Sequence, residues 1–247
     1  VLISSFIKSL KYILNINERG VFVAKTVLIT GASGGIGTAT ACLFAEKGYN
    51  VVINYNNSYE SASLLAKSLS SNGYSVMTHK ANVANKLDVD IMVKETLYKF
   101  GSLDILVNNA GMLLFSTLVH TDPNRINTLI NLHCTTPTHL CRLFGNDMKE
   151  RGRGHILIMS SITAWTPYPT ISHYAASKTY LRSFAQSLWY EMRDYGVSVT
   201  VVFPSAVDTP LYNLSEKPRR WLLRLGVMIT AEKLARKGLR AMFRRCR

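Results

Sequence analysis

The chain contains no apolar run approaching the roughly 20 residues that a membrane-spanning helix needs, so no such helix is expected. It has few cysteines. Cys42, Cys134, Cys141 and Cys246 form no Cys-x-x-Cys pair and no regular framework, which predicts free thiols in a reducing, cytoplasmic compartment. The six histidines are scattered, with no His-x-x-x-His and no Cys/His cluster, so no metal site is expected. Acidic residues are scarce as well: 15 Asp and Glu stand against 29 Lys and Arg, for a net charge of +14. The excess is concentrated. Residues 215–247 hold eleven basic residues and only Glu216 and Glu232, so +9 of the +14 lies there. No basic groove with interleaved aromatics accompanies it, which disfavours nucleic acid as a partner. An acidic carrier protein or a peripheral contact with a membrane surface suits this charged end better.

What is present is a chain of 247 residues, 47% of them apolar, enough to bury one core in one domain. No internal repeat or low-complexity segment appears. In residues 1–24, Leu2, Ile3, Phe6, Ile7, Leu10, Ile13 and Leu14 recur at helical spacing. This amphipathic extension lacks the basic start and cleavage site of a signal peptide. It predicts a helix packed on the body or on a second subunit, with membrane-surface contact as the alternative.

From residue 25 onward, strand and helix patterns alternate. Residues 25–30 (KTVLIT) read as a buried strand that runs into Gly31-Ala32-Ser33-Gly34-Gly35-Ile36-Gly37. A helix follows over 38–47 and stops at Gly48. Strand, glycine loop and helix together cradle a phosphate. Gly31 permits the tight turn, Gly35 and Gly37 let the backbone approach a pyrophosphate, and the helix N-terminus faces the negative charge. The second strand, 50–55 (NVVINY), ends in the neutral stretch Asn54-Tyr55-Asn56-Asn57-Ser58. No carboxylate stands there to hold an NAD ribose or to repel the 2′-phosphate of NADP. NADP(H) is therefore preferred and NAD(H) is the alternative, with Tyr55, Asn56 and Ser58 as the expected contacts.

Helices are expected at 61–72 and 88–100, and strands at 74–81 and 103–107. Asn82-Val83 follows the third strand. Asn108-Asn109-Ala110-Gly111 follows the fourth, and its small residues let the chain pass close to a cofactor. Residues 123–151 read as one long helix that carries Asn131 and His133; a buried mid-helix asparagine requires a partner. A strand at 155–160 (HILIMS), a helix at 173–195 and a strand at 197–203 complete the alternation. The expected fold is α/β, a Rossmann-type doubly wound parallel sheet with helices on both faces.

The fifth strand delivers Ser161 to the edge of the sheet where ligands bind. Thirteen residues further on lies Tyr174-Ala175-Ala176-Ser177-Lys178. On a helix Tyr174 and Lys178 share one face. A lysine ammonium beside a phenol favours the phenolate, so Tyr174 can exchange a proton with a carbonyl or hydroxyl oxygen near neutral pH. Ser161 could hold that same oxygen. A bare Tyr-x-x-x-Lys also fits the exposed edge of an amphipathic helix, and the upstream cofactor pattern is what favours chemistry.

Taken together, these segments resemble the short-chain dehydrogenase/reductase family. The matching residues are Thr30-Gly31-x-x-x-Gly35-x-Gly37, Asn108-Asn109-Ala110-Gly111, Asn131, Ser161, Tyr174-x-x-x-Lys178 and the segment 204–210. The resemblance covers residues 25–210. It implies an NAD(P)(H)-dependent oxidoreductase interconverting a carbonyl and a secondary alcohol. In that scheme Tyr174 is the general acid or base, Ser161 positions the substrate oxygen, Lys178 holds the nicotinamide ribose and tunes Tyr174, and Asn131 holds a water in a proton relay. It also implies that Ser33, Gly34, Ile36, Asn54, Asn82, Val83, Asn109, Ala110, Gly111, Pro204, Val207 and Thr209 border the cofactor, and that the chain forms a homo-oligomer, dimer or tetramer. Three departures stand out. Asn82 replaces the usual aspartate, Ser205 replaces the glycine after Pro204, and no seventh strand is seen after the basic amphipathic helix expected at 231–247.

Residues 209–230 correspond to the family's substrate lid. Leu211, Tyr212, Leu214, Trp221, Leu222, Leu223, Leu225, Val227 and Met228 lie in it. With Met112-Leu113-Leu114-Phe115 and Trp165-Thr166-Pro167-Tyr168 they favour an apolar substrate, steroid-like or fatty-acyl, although the same residues would serve as core or subunit contacts. Arg219, Arg220 and Arg224 suit an anionic group or an acidic carrier, which makes a 3-oxoacyl thioester reductase the alternative to a hydroxysteroid dehydrogenase. A non-catalytic dinucleotide-binding protein is disfavoured by the presence of Tyr174.

Overall fold

Short β-branched runs buried on both faces build the centre of the molecule. The computed structural model describes residues 24–166, 168–210 and 215–245, so the expectations for residues 1–23, Pro167, Leu211, Tyr212, Leu214 and Cys246 lie outside the described residues. The chain runs β1 (Thr26–Ile29), α1 (Gly35–Glu46), β2 (Asn50–Tyr55), α2 (Tyr59–Ser71), β3 (Val76–Lys80), α3 (Lys86–Phe100) and β4 (Ile105–Asn108). It continues with α4 (Pro123–Ile130), α5 (Thr136–Glu150), β5 (Gly154–Met159), α6 (Ser172–Met192) and β6 (Val197–Val202). The last described elements are β7 (Ala206–Asp208), α7 (Glu216–Arg224), β8 (Met228–Thr230) and α8 (Ala231–Phe243).

β1 to β6 form one parallel sheet in the order β3-β2-β1-β4-β5-β6. Side chains alternate across each strand. Val27, Ile29, Val51 and Ile53 pack with α1, α2 and α8 on one face. Leu28, Val52, Leu106 and Ile156 pack with α3, α5 and α6 on the other. The fold is therefore the doubly wound α/β arrangement expected. Its strand order reverses between β1 and β4, and a crevice opens there at the carboxyl ends of the strands.

One expectation is corrected and one feature is new. The single helix read at 123–151 is broken by a wide turn over Asn131–Thr135, in which Thr136 N–H bonds the carbonyl of Asn131, five residues back. Pro137 supplies the cause. It has no N–H for the carbonyl of His133, and its ring would collide with that carbonyl in a regular helix. The other finding, on which the sequence reading was silent, concerns the lid. Ala206–Asp208 and Met228–Thr230 pair in parallel as a separate two-stranded sheet, which brings the two ends of the lid segment together. Arg219 of α7 adds a bidentate pair with Asp208, at 2.5 and 2.8 Å. Among the described residues, no helix is long and apolar enough to cross a membrane, and Cys42, Cys134 and Cys141 are free thiols.

His155, at the start of β5, is largely buried. Its Nδ1 lies 2.6 Å from Ser198 Oγ and its ring packs edge-on against Phe243. Burial first, then the charges of Arg245 and Lys25, push its pKa down to about 4. The unfolded chain takes up this proton near pH 6.5. Stability from this residue is therefore complete above about pH 6.5 and is lost as the pH falls toward 4, by about 3 kcal/mol at most. In urea titrations the wild-type midpoint should drop over that window more steeply than the midpoint of His155→Phe. Parallel curves would show that His155 is not the responsible group.

Candidate active site

The crevice is held open by side chains that satisfy backbone groups where the sheet divides. Thr30 Oγ1 accepts from the N–H groups of Asn109 and Ala110, at 2.9 and 3.0 Å. Asn109 Nδ2 returns bonds to the carbonyls of Thr30 and Gly31, at 2.9 and 3.1 Å. Asn54 completes the brace, accepting from Gly31 N–H at 3.2 Å and donating to Ala81 O at 3.0 Å. Gly31 has φ +61°, a conformation that a side chain resists. A Cβ on Gly37 would run into Gly31 O and stand 2.7 Å from Ala32 Cα, so the helix can approach the strand this closely only with glycine there.

These braces frame a cleft of about 800 Å³. Gly31, Gly34, Gly35, Ile36 and Gly37 line one end, with Asn54, Asn56, Asn82, Val83, Asn109, Ala110, Gly111, Asn131 and Thr209 around the rest. α1 begins at Gly35 behind an N-cap, Gly34, that offers no side-chain bond, and its first turn has no acidic residue. The first-turn N–H groups therefore point their partial positive charge into the cleft, as pyrophosphate binding needs. Among the described residues, no charged side chain lines the cleft.

Next to it lies a smaller pocket of about 100 Å³, which shares Ile36, Asn109, Gly111 and Thr209 with the large cleft. Ser161, Tyr174 and Lys178 all line it, with Pro204, Ser205 and Val207. Ser161 caps a short 3-10 turn, Ile162–Ala164, and its Oγ accepts from Thr163 N–H at 3.2 Å. Tyr174 and Lys178 fall one turn apart on α6, with Lys178 Nζ 5.5 Å from the centre of the Tyr174 ring. Lys178 is buried and donates to Met159 O at 3.0 Å. Burial pushes its pKa down to about 8.

Not every residue expected at the site reaches it. Ser33, Tyr55 and Ser58 line neither space. Tyr55 shares the face of Ile53, and its ring is turned into the core, 6.0 Å from that of Tyr59. Asn54 borders the cleft, but its amide braces the backbone. Asn131 is exposed on the wide turn. It lines the large cleft and is absent from the pocket of Ser161, Tyr174 and Lys178. Of the apolar walls named from sequence, Met112 lines that pocket, while Phe115 and Trp165 are exposed and Leu114 is core. His133 completes the pocket wall, and sequence reasoning gave it no role. The one available signal was a histidine on the helix that also carries Asn131.

Known proteins agree with this geometry. The family profile described as short chain dehydrogenase matches residues 25–219. A 3-oxoacyl-[acyl-carrier-protein] reductase from Synechocystis sp. is 33% identical over 196 residues, 79% of each chain. Among solved structures, a short-chain dehydrogenase from Sphingobium yanoikuyae in complex with NADPH superposes with a TM-score of 0.79 at 28% identity, covering 90% of this chain and 85% of that one. A 3-ketoacyl-(acyl-carrier-protein) reductase from Brucella melitensis complexed with NADH gives 0.79 at 27% identity, covering 89% and 91%. The chain belongs to the short-chain dehydrogenase/reductase family, a class of oxidoreductases.

The position of Lys178 has a measurable consequence. Its pKa is about 8 when folded, against about 10.5 for a lysine in water. The unfolded chain thus binds more protons between those values, and stability rises with pH across that window. Lys178→Met should abolish this rise, so that the wild-type minus variant difference in urea midpoint grows from pH ~8 to ~10.5. A constant difference would mean that the ammonium is not desolvated.

Proposed function

We propose that the chain is an NADP(H)-preferring carbonyl reductase or alcohol dehydrogenase acting on a hydrophobic ketone or secondary alcohol. The observation that carries this reading is that Ser161, Tyr174 and Lys178 line one small pocket continuous with a large uncharged cleft. The cleft suits a dinucleotide: helix N–H groups at one end, glycines that allow close approach, and neutral Asn56 where a carboxylate would repel a 2′-phosphate. When bound, the nicotinamide supplies or accepts the hydride.

The protein's own part is to hold the reacting oxygen and move its proton. Ser161 Oγ, fixed by its bond from Thr163 N–H, donates to the substrate oxygen. Tyr174 passes its phenolic proton to that oxygen during reduction and recovers it during oxidation. The Lys178 ammonium, anchored on Met159 O, stabilises the phenolate that remains. Ile36, Met112, Met159 and Val207 in the pocket wall favour an apolar substrate.

A second reading, 3-oxoacyl thioester reduction, has one specific support. The Synechocystis and Brucella proteins to which the chain is similar carry that name. The exposed Arg220 and Arg224 of α7 suit an anionic carrier.

Fluorescence titration should show tighter binding of NADPH than of NADH, and a panel of apolar ketones and acyl thioesters should then separate the two substrate classes by consumption of reduced cofactor. Tyr174→Phe should lower kcat by roughly 10²–10⁴-fold while leaving cofactor affinity nearly unchanged. Undiminished turnover in that variant would remove Tyr174 from the chemistry.

A further inference from the structure

His133 is 1% exposed, at the centre of the wide turn between α4 and α5, and neither the family resemblance nor the expected chemistry gives it a task. Its two ring nitrogens join the two halves of the site. Nε2 is 3.0 Å from Met112 N, and a backbone N–H can only donate, so Nε2 is the unprotonated acceptor. Nδ1 therefore carries the hydrogen and donates to Ser177 Oγ at 2.8 Å. Ser177 Oγ in turn donates to the carbonyl of Tyr174 at 2.7 Å. The directions are consistent from end to end, and every member of the chain is neutral.

The ring is also tightly enclosed. Its centre is 5.6 Å from that of Tyr174, edge to face. A Cβ on Gly111 would stand 3.1 Å from Nε2, so the imidazole fills the space beneath the turn that follows β4. The groups facing it are Lys178 and Tyr174 from α6. Among the described residues no carboxylate offsets these effects: burial, then the Lys178 charge, hold its pKa well below the usual histidine range.

We propose that His133 is a positioning residue: as a neutral imidazole it ties the Met112 loop, at the border of the cofactor cleft, to the turn of α6 that carries Tyr174, and so sets the distance between the bound cofactor and the acid/base group. The inference rests on the carbonyl-reductase reading for its effect on turnover. Its effect on cofactor binding stands independently of that reading.

Three substitutions separate the two arms. Glutamine places its amide near the height of Nε2 and can still accept from Met112 N–H. Asparagine places its amide near Nδ1 and can still donate to Ser177. Phenylalanine keeps the ring and neither bond. His133→Gln should hold NADPH with near wild-type Kd and lose kcat by roughly 10–100-fold, as expected for a misplaced acid/base group. His133→Asn should keep more of kcat and weaken NADPH by roughly fivefold, the equivalent of one lost neutral hydrogen bond. His133→Phe should lose both, and the acid limb of the pH–rate profile should stay in place in all three. Melting temperatures are measured alongside. The proposal is overturned if folded His133→Phe has wild-type kcat and Kd. It is overturned equally if all three variants lose kcat and Kd in a common proportion that follows their melting temperatures, or if the acid limb moves, which would make His133 a proton carrier. If the wild-type chain reduces no carbonyl, the reductase reading fails, and the Kd comparison of glutamine, asparagine and phenylalanine decides the Met112 arm alone.

Discussion

The hydrogen bonds among Thr30, Asn109 and Asn54 are the constraint on which the rest of the site depends. Where β1 and β4 part, their crossovers leave to opposite faces and the sheet ladder ends. Backbone groups just beyond that point are enclosed by protein yet have no strand partner, and unpaired buried groups of this kind are costly. Three short polar side chains satisfy them. Thr30 serves two N–H groups, Asn109 two carbonyls, and Asn54 one of each kind. Once these groups are paired within the protein, the first-turn N–H groups of α1 are what remains for an incoming anion. The cleft is thus defined by which backbone groups the protein satisfies internally and which it leaves for a ligand.

Charge is kept out of this region. The chain carries +14, yet among the described residues no charged one lines the large cleft, and Lys178 is the only one in the small pocket. That lysine is buried, and folding pulls its pKa well below the value in water, so its presence opposes folding near neutral pH. A methionine would fit a buried helix face at lower cost. The reason to hold an ammonium in such a place is that a phenolate beside it is stabilised more strongly than it would be in water. The same low dielectric that burdens the fold strengthens the interaction the proposed chemistry uses.

Much of this was legible in the sequence, for identifiable reasons. Runs such as TVLI and NVVINY are β-branched, short and bounded by glycine or asparagine, so strands β1 and β2 could be placed to within a residue or so. The glycine loop and the Tyr174–Lys178 spacing are local in sequence, and local patterns survive folding. What was not legible depends on contacts between distant segments. β7 and β8 are three residues each, too short to announce themselves, and are held by pairing with one another across the lid and by packing of Val207 and Ile229 on the core. Tyr55 alternates with Asn54 along β2, so once Asn54 points to the brace, Tyr55 must point to the core. The neutral residues at the end of β2 could be recognised as a group, but which of them faces the cleft is decided by that alternation.

The wide turn at Asn131–Thr135 shows how one local break can organise a site. Periodicity suggested an unbroken helix because apolar residues recur on both sides of the turn, Ile126, Leu129, Ile130 and Leu132 before its end and Leu140 and Leu143 after it. Pro137 was visible, and its conflict with the carbonyl four residues earlier is elementary. Opening that turn relieves the conflict and re-aims the segment between α4 and α5. Asn131 is thereby placed on the large cleft, while His133 is carried inward, between the turn after β4 and the part of α6 that carries Tyr174 and Ser177. In a regular helix these side chains would be spaced by uniform increments of about 100°; the wide turn changes that spacing. A proline that costs helix stability is tolerable here because the distortion it forces delivers a buried, fully bonded imidazole to the one position from which both halves of the site can be reached.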